Sequence, residues 1–340
     1  MQKSKTFTGR PVGFERLEDR ALLSVTATLT GGALNLSGTA ASESVQLWQS
    51  GSNWKVQGIG TKVNGSYAVQ TFPGVTEIET ELGAGNDFIK VFNGTAQSVT
   101  ITYNPSDTGL KITQAVNLTL SALFTLNSTA GPNSVFMKNV SFVGDAELTT
   151  GDASDSFVIS GFRSEDSAGG LFVRAGNGTN SIIASNVQCG GSAFFTTGSG
   201  NDIISMSKFK LGLNLQVQAG NGNNNVSANN ILTALSSDAF GDEIITGSGR
   251  DSISIVNYDI AGHLSIQTGD GTDSVVLYKL TAETLTVLVN LGNLDTVSVV
   301  NTTVPVATFD DVDGTNGIIV GSHNHLSLYS VSGFTHQIGI

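Results

Sequence analysis

Gly247-Ser-Gly-Arg-Asp251-Ser-Ile253-Ser-Ile255 returns 22 residues later as Gly269-Asp-Gly-Thr-Asp273-Ser-Val275-Val-Leu277. Working outward, the same Gly-x-Gly-x-Asp/Asn phrase is found at Gly83–Asp87, Gly151–Asp155, Gly176–Asn180, Gly198–Asp202 and Gly220–Asn224, and shortened at Gly292–Asp295. Weaker copies are placed at Thr108, Asn133 and Asn316. Anchored on its last residue, the repeat falls at 87, 108, 133, 155, 180, 202, 224, 251, 273, 295 and 316, and half of the intervals are 22 residues. A fixed period of that length is the mark of a solenoid, in which each unit buries its apolar face only against its neighbours.

The residues after each anchor alternate. Positions two and four beyond it read Ile89/Val91, Leu110/Ile112, Val135/Met137, Phe157/Ile159, Ile182/Ala184 and Ile204/Met206. They continue as Val226/Ala228, Ile253/Ile255, Val275/Leu277, Val297/Val299 and Ile318/Val320, with many Ser, Asn, Thr and Lys between. Period-two alternation describes a strand with one buried face. A second strand enters the corner, as in Leu171/Val173/Ala175, Leu213/Leu215/Val217, Leu264/Ile266 and Val287/Val289/Leu291. Glycine suits the bend because a tight turn often needs positive φ, and Asp or Asn at its end accepts hydrogen bonds from stranded amides.

The expected fold is therefore all-β: a single elongated parallel β-helix of about 22 residues per coil, right-handed by the general preference of parallel crossovers. Residues 1–24 read as a leader, 25–82 as an N-terminal β cap with turns at Gly31-Gly32 and Gly51-Ser52-Asn53, 83–320 as the repeats, and 321–340 as a C-terminal cap closed by Phe334 and Ile338.

Composition agrees. Hydrophobic residues make up 39% of the chain and charged residues 13%, which argues against disorder. Ser, Thr, Asn, Val, Ile and Gly dominate, the chemistry of strands and turns. Net charge is −12, but residues 1–24 carry five basic and three acidic side chains, so the rest of the chain stands at −14. A body so acidic repels phosphate backbones, and no nucleic-acid partner is expected. Cys189 is the single cysteine, which excludes an internal disulfide and fits a small buried apolar residue. No apolar run is long enough for a transmembrane segment.

Phe14-Glu15-Arg16-Leu17-Glu18-Asp19-Arg20-Ala21-Leu22-Leu23-Ser24 resembles the F-E-x-L-E-x-R-x-L-L-S leader of many large secreted planctomycete proteins, with Asp19 where the common form has Pro. The resemblance implies an extracellular or cell-surface location. The corners Thr246–Ser254 and Thr268–Val276 resemble the G-G-x-G-x-D-x-U-x nonapeptide of RTX, haemolysin-type, calcium-binding proteins and differ from it mainly at the first Gly. That resemblance implies calcium between stacked turns, held by backbone carbonyls and Asp carboxylates. Asp202, Asp251 and Asp273 would be the leading ligands and Asp87 and Asp155 the next. RTX arrays repeat every nine residues, whereas this chain has one turn per 22, and Asn180, Asn224 and Asn316 lack a carboxylate. The competing reading is an Asp/Asn ladder that hydrogen-bonds along the corner without metal.

Other polar groups are fewer. Asp310, Asp311 and Asp313 read as a solvated turn, and His323 and His325 would share a face if they lie on one strand. Asp238, Asp242 and Glu243, in the longest interval, are the best acid–base candidates for a carbohydrate-active β-helix, a polysaccharide lyase or hydrolase; a loop with solvated acids is the competing reading. The chain contains no G-x-S-x-G, H-E-x-x-H or phosphate loop. The sequence thus points away from an enzyme and toward an extracellular structural, adhesive or matrix module, with cell-surface polysaccharide or other surface proteins as partners. A calcium-dependent RTX-like array is the alternative.

Overall fold

The computed structural model describes residues 24–164, 166–234, 241–292, 295–311, 318–334 and 336–338. Every regular element among them is a strand, and the coils stack in parallel, about 22 residues apart, into a β-solenoid of about 11 turns. The leader resemblance at 14–24 lies, apart from Ser24, outside the described residues, as do Asp238, Asp313 and Asn316.

The middle coils show how sequence builds a turn. Strand Ile203–Leu211 lies on Ser181–Cys189 and beneath Asn225–Thr233, all in parallel register. Strand Leu215–Gln218 lies between Ala193–Thr196 and Asp242–Ile245 in the same way. Equal coil length puts equal residues on one another: Ile182, Ile204, Val226, Ile253, Val275, Val297 and Ile319 form one buried column. The core is a stack of such columns. Its stability comes from neighbours, since one coil has nothing to bury its apolar face against.

A second corner is set by backbone conformation. Six residues after the anchor the chain takes a left-handed turn in coil after coil, at Asn93, Asn117, Asn139, Gly161, Asn186, Lys208, Asn230, Asn257, Lys279, Asn301 and His323, with φ between 51° and 63°. The extra residue bends the long strand and shifts its inward parity, so that Asp202, Ile204 and Met206 face in before the bend and Phe209 and Leu211 after it. Asn tolerates this conformation because its short amide bonds locally. Here the amides also bond along the axis: Asn117 Nδ2 donates to Asn93 Oδ1 at 2.9 Å, and Asn139 Nδ2 to Asn117 Oδ1 at 3.0 Å.

The N-terminal segment forms antiparallel hairpins at both expected turns, Ser24–Thr30 with Ala33–Ser37 and Ser44–Ser50 with Asn53–Gly58. Ala33–Ser37 and Ser44–Trp48 also pair in parallel with the next coil, so this segment already contains the first turn of the wall. Trp54 is fully buried there, its ring lying where a Cβ at Gly94 would stand. At the other end His325–Ser332 and His336–Ile338 pair in parallel with the preceding coil, and Phe334 is buried.

Two copies of the repeat are displaced from their expected places. Lys111, and not Thr108, is in register with Asp87 and Asn133, so the inward residues are Lys111, Thr113 and Ala115 while Leu110 is exposed. Leu110 and Ile112 mimic the apolar alternation one residue out of step, and a buried lysine is accepted because it is fully partnered, as described below. In the last coil Ile319 and Gly321 align with Val297 and Val299, where Ile318 and Val320 were expected. Leu213 is exposed on a short corner, whereas Leu215 and Val217 are buried as expected.

Inward and outward positions can be separated by mutation. Ile253→Asp places an unpaired carboxylate in the sealed column and is expected to cost about 4 kcal/mol or to prevent folding, whereas Ser254→Asp, one residue along on the outer face, is expected to change stability by less than about 1 kcal/mol. Urea unfolding of the two variants checks this; equal losses would place the buried face wrongly.

Candidate functional site

The anchor residues have the same parity as the apolar residues that follow them, and the structure turns them inward. Asp87, Asp155, Asp202, Asp251 and Asp273, the candidate calcium ligands, are each buried to within 2% of full exclusion. They share one axial column with Lys111, Asn133, Asn180, Asn224 and Asp295.

Most members clamp the coil before them. At Asp87 and Lys111 the first amide of the strand donates to a carbonyl of the next coil, Leu110 O and Pro132 O, each at 2.9 Å, but from Asn133 onward the next anchor's side chain accepts that amide instead. Asn133 N donates to Asp155 Oδ1 at 2.7 Å, Asp155 N to Asn180 Oδ1 at 3.0 Å, and Asn180 N to Asp202 Oδ1 at 2.7 Å. The series continues from Asp202 to Asn224 at 3.1 Å, Asn224 to Asp251 at 2.8 Å, Asp251 to Asp273 at 2.9 Å and Asp273 to Asp295 at 2.7 Å. At the N-terminal end Glu43 N donates to Asp87 Oδ1 at 2.9 Å. The corner glycines allow this close stacking: a Cβ on Gly222 (φ 133°) would stand 1.8 Å from the carbonyl oxygen of Gly200.

Asp and Asn differ in their second polar atom. Asn180 Nδ2 donates to the carbonyls of Gly176 (2.8 Å) and Gly178 (3.2 Å), and Asn224 Nδ2 to those of Gly220 (2.7 Å) and Gly222 (3.1 Å). Asp has no such donor, and its Oδ2 is buried without a hydrogen-bond partner at Asp87, Asp155, Asp202, Asp251, Asp273 and Asp295. In six coils the residue five positions earlier follows the same division, whereas Leu82, Ser128 and Asn290 precede Asp87, Asn133 and Asp295. Before Asp155, Asp202, Asp251 and Asp273 it is Thr150, Thr197, Thr246 and Thr268; before Asn180 and Asn224 it is Ala175 and Ala219. Each Thr hydroxyl faces its carboxylate closely enough to lower its pKa, though outside ordinary hydrogen-bond geometry.

Burial dominates the titration of the column. It raises Asp155, Asp202, Asp251 and Asp295, and pushes Asp273 up to about 6, with the charges of Asp251 and Asp295 adding to the effect. Asp87 rises to about 7, chiefly by burial and further by the Glu43 carboxyl, against the pull of the Glu43 amide and of Lys111. Lys111 does for its coil what Asn does elsewhere: Nζ donates to the carbonyls of Gly109 (2.8 Å) and Gly85 (3.0 Å) and pairs with Asp107. Burial opposes ionisation of Asp107, but Lys111 and the Gly109 amide outweigh it and hold its carboxyl below the ordinary value.

The other candidates are distributed differently from expectation. Asp242 is not a solvated acid. It opens strand Asp242–Ile245, is buried, accepts from Leu215 N at 2.8 Å through Oδ1, and accepts from the Tyr258 hydroxyl (2.7 Å) and the Thr233 hydroxyl (3.0 Å) through Oδ2. Burial pushes it up to about 6. Glu243 points outward beside it. Asp310 and Asp311 end strand Thr303–Asp311, and Asp311 is buried, so they do not form a solvated turn. His323 sits at the left-handed bend and His325 begins the next strand, so the two do not share a strand face. Cys189 is buried and its thiol is pushed up to about 12 by burial. Among the described residues no group of three or more His, Cys, Asp or Glu is gathered.

No protein-family model, curated protein or solved structure matches this chain. Its chemistry therefore rests on its own geometry.

The raised carboxylates fix the sign of the pH dependence. A carboxyl whose folded pKa exceeds its unfolded value of about 4 binds its proton more readily in the folded state, so stability rises as pH falls from about 7 toward 4. Asp107 works in the opposite direction, and only as pH falls below about 4. Thermal unfolding is therefore expected at a higher temperature at pH 5 than at pH 8. Asp273→Asn combined with Thr268→Ala, which imposes the pairing of the Asn180 and Asn224 coils, is expected to stabilise the chain at pH 8 on the order of 2 kcal/mol and to reduce its pH dependence. Circular-dichroism melts of both proteins at the two pH values provide the check.

Proposed function

We propose that this chain works outside the cell as a non-enzymatic β-solenoid, a structural, adhesive or matrix module of the cell surface. The observation that carries this reading is the inward orientation of the repeat's carboxylates. The groups that acid–base chemistry would need on an outer face are instead turned into the wall, where each is committed to the coil beside it. Part of the outer face is small and polar, as in the column Ser205, Ser227 and Ser254, which runs between the exposed Ile183 and Val276 and where Ser227 Oγ donates to Ser205 Oγ at 3.1 Å. A long wall of this kind separates its ends and presents a regular surface, and the leader at 14–24 supplies the address. Expression with and without residues 1–24, followed by fractionation, tests the reading. The full chain is expected at the surface or in the medium and the shortened chain inside; a full chain confined to the cytosol would overturn it.

Calcium binding is the second reading, favoured by the unpartnered Oδ2 atoms of Asp202, Asp251 and Asp273 and by a cavity of about 380 Å³ bordered by Arg250, Asp251, Thr272 and Asp273. Calcium takes six to eight oxygens, so adjacent coils would have to pool carboxylates with the Thr246 and Thr268 hydroxyls. Under this reading millimolar calcium raises the melting temperature above that in chelator, and Asp251→Asn with Asp273→Asn abolishes the gain while keeping the clamp oxygens. An unchanged melt of the native protein leaves the column as clamps alone.

A further inference from the structure

Two sides of the coil carry opposite charge. One is formed by the strands that lead from the glycine corner to the left-handed bend, from Ser44–Ser50 through Ile318–Ser322, extended by the hairpin strand Asn53–Gly58. The chain holds 28 acidic residues against 16 basic ones, yet among the described residues no carboxylate stands on the outer face of this side or at its bend. Its charges are Lys55, Lys90, Lys138, Lys208 and Lys279. The other side, across the glycine corner, is formed by the short strands from Ala33–Ser37 through Thr303–Asp311. Its outer face carries Glu77, Glu79, Glu81, Glu147, Glu243 and Asp310 and, among the described residues, one cation, Arg174. The two sets keep similar intervals along the axis. Lys138, Lys208 and Lys279 stand on every third rung. From Glu81 to Glu147, to Glu243 and to Asp310 the steps are three, four and three rungs. Among the described residues no ion pair within the chain engages these lysines or carboxylates.

We propose that copies of this chain associate side by side, the lysine side of one on the carboxylate side of the next. The inference rests on the surface-module reading, to which it adds the partner. Charge selects the pairing, because two lysine sides or two carboxylate sides repel. Spacing supports it: three rungs are about 14 Å, so one register brings several opposite pairs together. Between the charges each side offers apolar surface. Phe136, Val158 and Ile183 form one outer row on the lysine side, and the stacked rings of Phe172 and Phe194, 5.0 Å apart, stand on the other. Size is adequate. About 11 turns, at about 4.8 Å per rung and with roughly 15 Å of strand, give a side of roughly 750 Å², close to the about 800 Å² each partner of a standard interface buries. Anionic lipid is drawn to clustered cations, whereas these lysines stand singly, roughly 10–14 Å apart. Because the two sides differ, each copy in a pair keeps one of each kind free, and association continues into a ring or an open row.

The test is sedimentation velocity of the full chain at low and at high salt, with charge-reversed variants. The native chain is expected to form species larger than a monomer at low salt and to dissociate as salt screens the pairs. Lys138→Glu with Lys208→Glu, and separately Glu147→Lys with Glu243→Lys, are each expected to weaken association at least about tenfold. Mixing the two variants in equal amounts is expected to restore it, since each then meets the opposite sign. The second variant lowers the net negative charge, so its loss of association separates the pairing of sides from general repulsion. Unaltered melts of both variants show that the fold is intact. A native chain that is monomeric at low salt, variants that associate as the native chain does, or a mixture that stays dissociated overturns the proposal. A native monomer that binds phosphatidylglycerol vesicles through the lysines also overturns it and gives that side to an anionic surface. Any of these with the full chain still found at the surface leaves the module reading standing.

Discussion

A parallel wall that turns a tight corner can strand an amide at each coil, and from Asn133 to Asp273 that amide is caught by the side chain of the coil above. Much else is subordinate to the catch. The accepting oxygen must lie inside, so the anchor is inward; it must sit one rung away, so the coil length is nearly fixed. The corner must let backbones approach to that distance, which excludes a Cβ at Gly222. A buried N–H without a partner costs about 1–3 kcal/mol, and the loss would recur at each of the turns from Asn133 to Asp273. Insertions are accordingly confined to places where they do not disturb the anchor: the Gly corner near Asn104–Gly109 and the outer corners at 165–170 and 234–241.

The choice between aspartate and asparagine follows from what else is in reach. Asparagine brings its own donor and ties down two glycine carbonyls, so the facing position can be Ala175 or Ala219. Aspartate brings a second acceptor, and Thr150, Thr197, Thr246 or Thr268 faces it. From Asn133 to Asp251 the two kinds alternate, which holds the nearest buried carboxylates two rungs apart, roughly 10 Å. Asp251, Asp273 and Asp295 break the rule, and their mutual repulsion contributes to the raised pKa of Asp273.

The fold was legible because the buried strand writes its parity into the sequence, and nine of the eleven expected inward pairs, from Ile89/Val91 through Val297/Val299, face the core. The failures have a common cause. Around Thr108 and Asn316 the glycine phrase is missing, so apolar alternation alone set the frame, and alternation cannot distinguish Leu110/Ile112 from the true Lys111/Thr113. The candidate site was only half legible. The glycine phrase marked its anchor residues, but their inward direction was not drawn from a fact already present: Asp251 shares the parity of Ile253 and Ile255. The Asn recurring six residues after an anchor and the Thr–Asp and Ala–Asn pairs were also visible.

Alternation gives this wall a grain coarser than its coil. Within the alternating stretch, removing or duplicating one turn preserves every strand register yet sets Asp beside Asp or Asn beside Asn; removing or duplicating two turns preserves both register and charge order. The geometric repeat is one turn and the electrostatic repeat is two, so the length of such a wall can change smoothly only in paired steps.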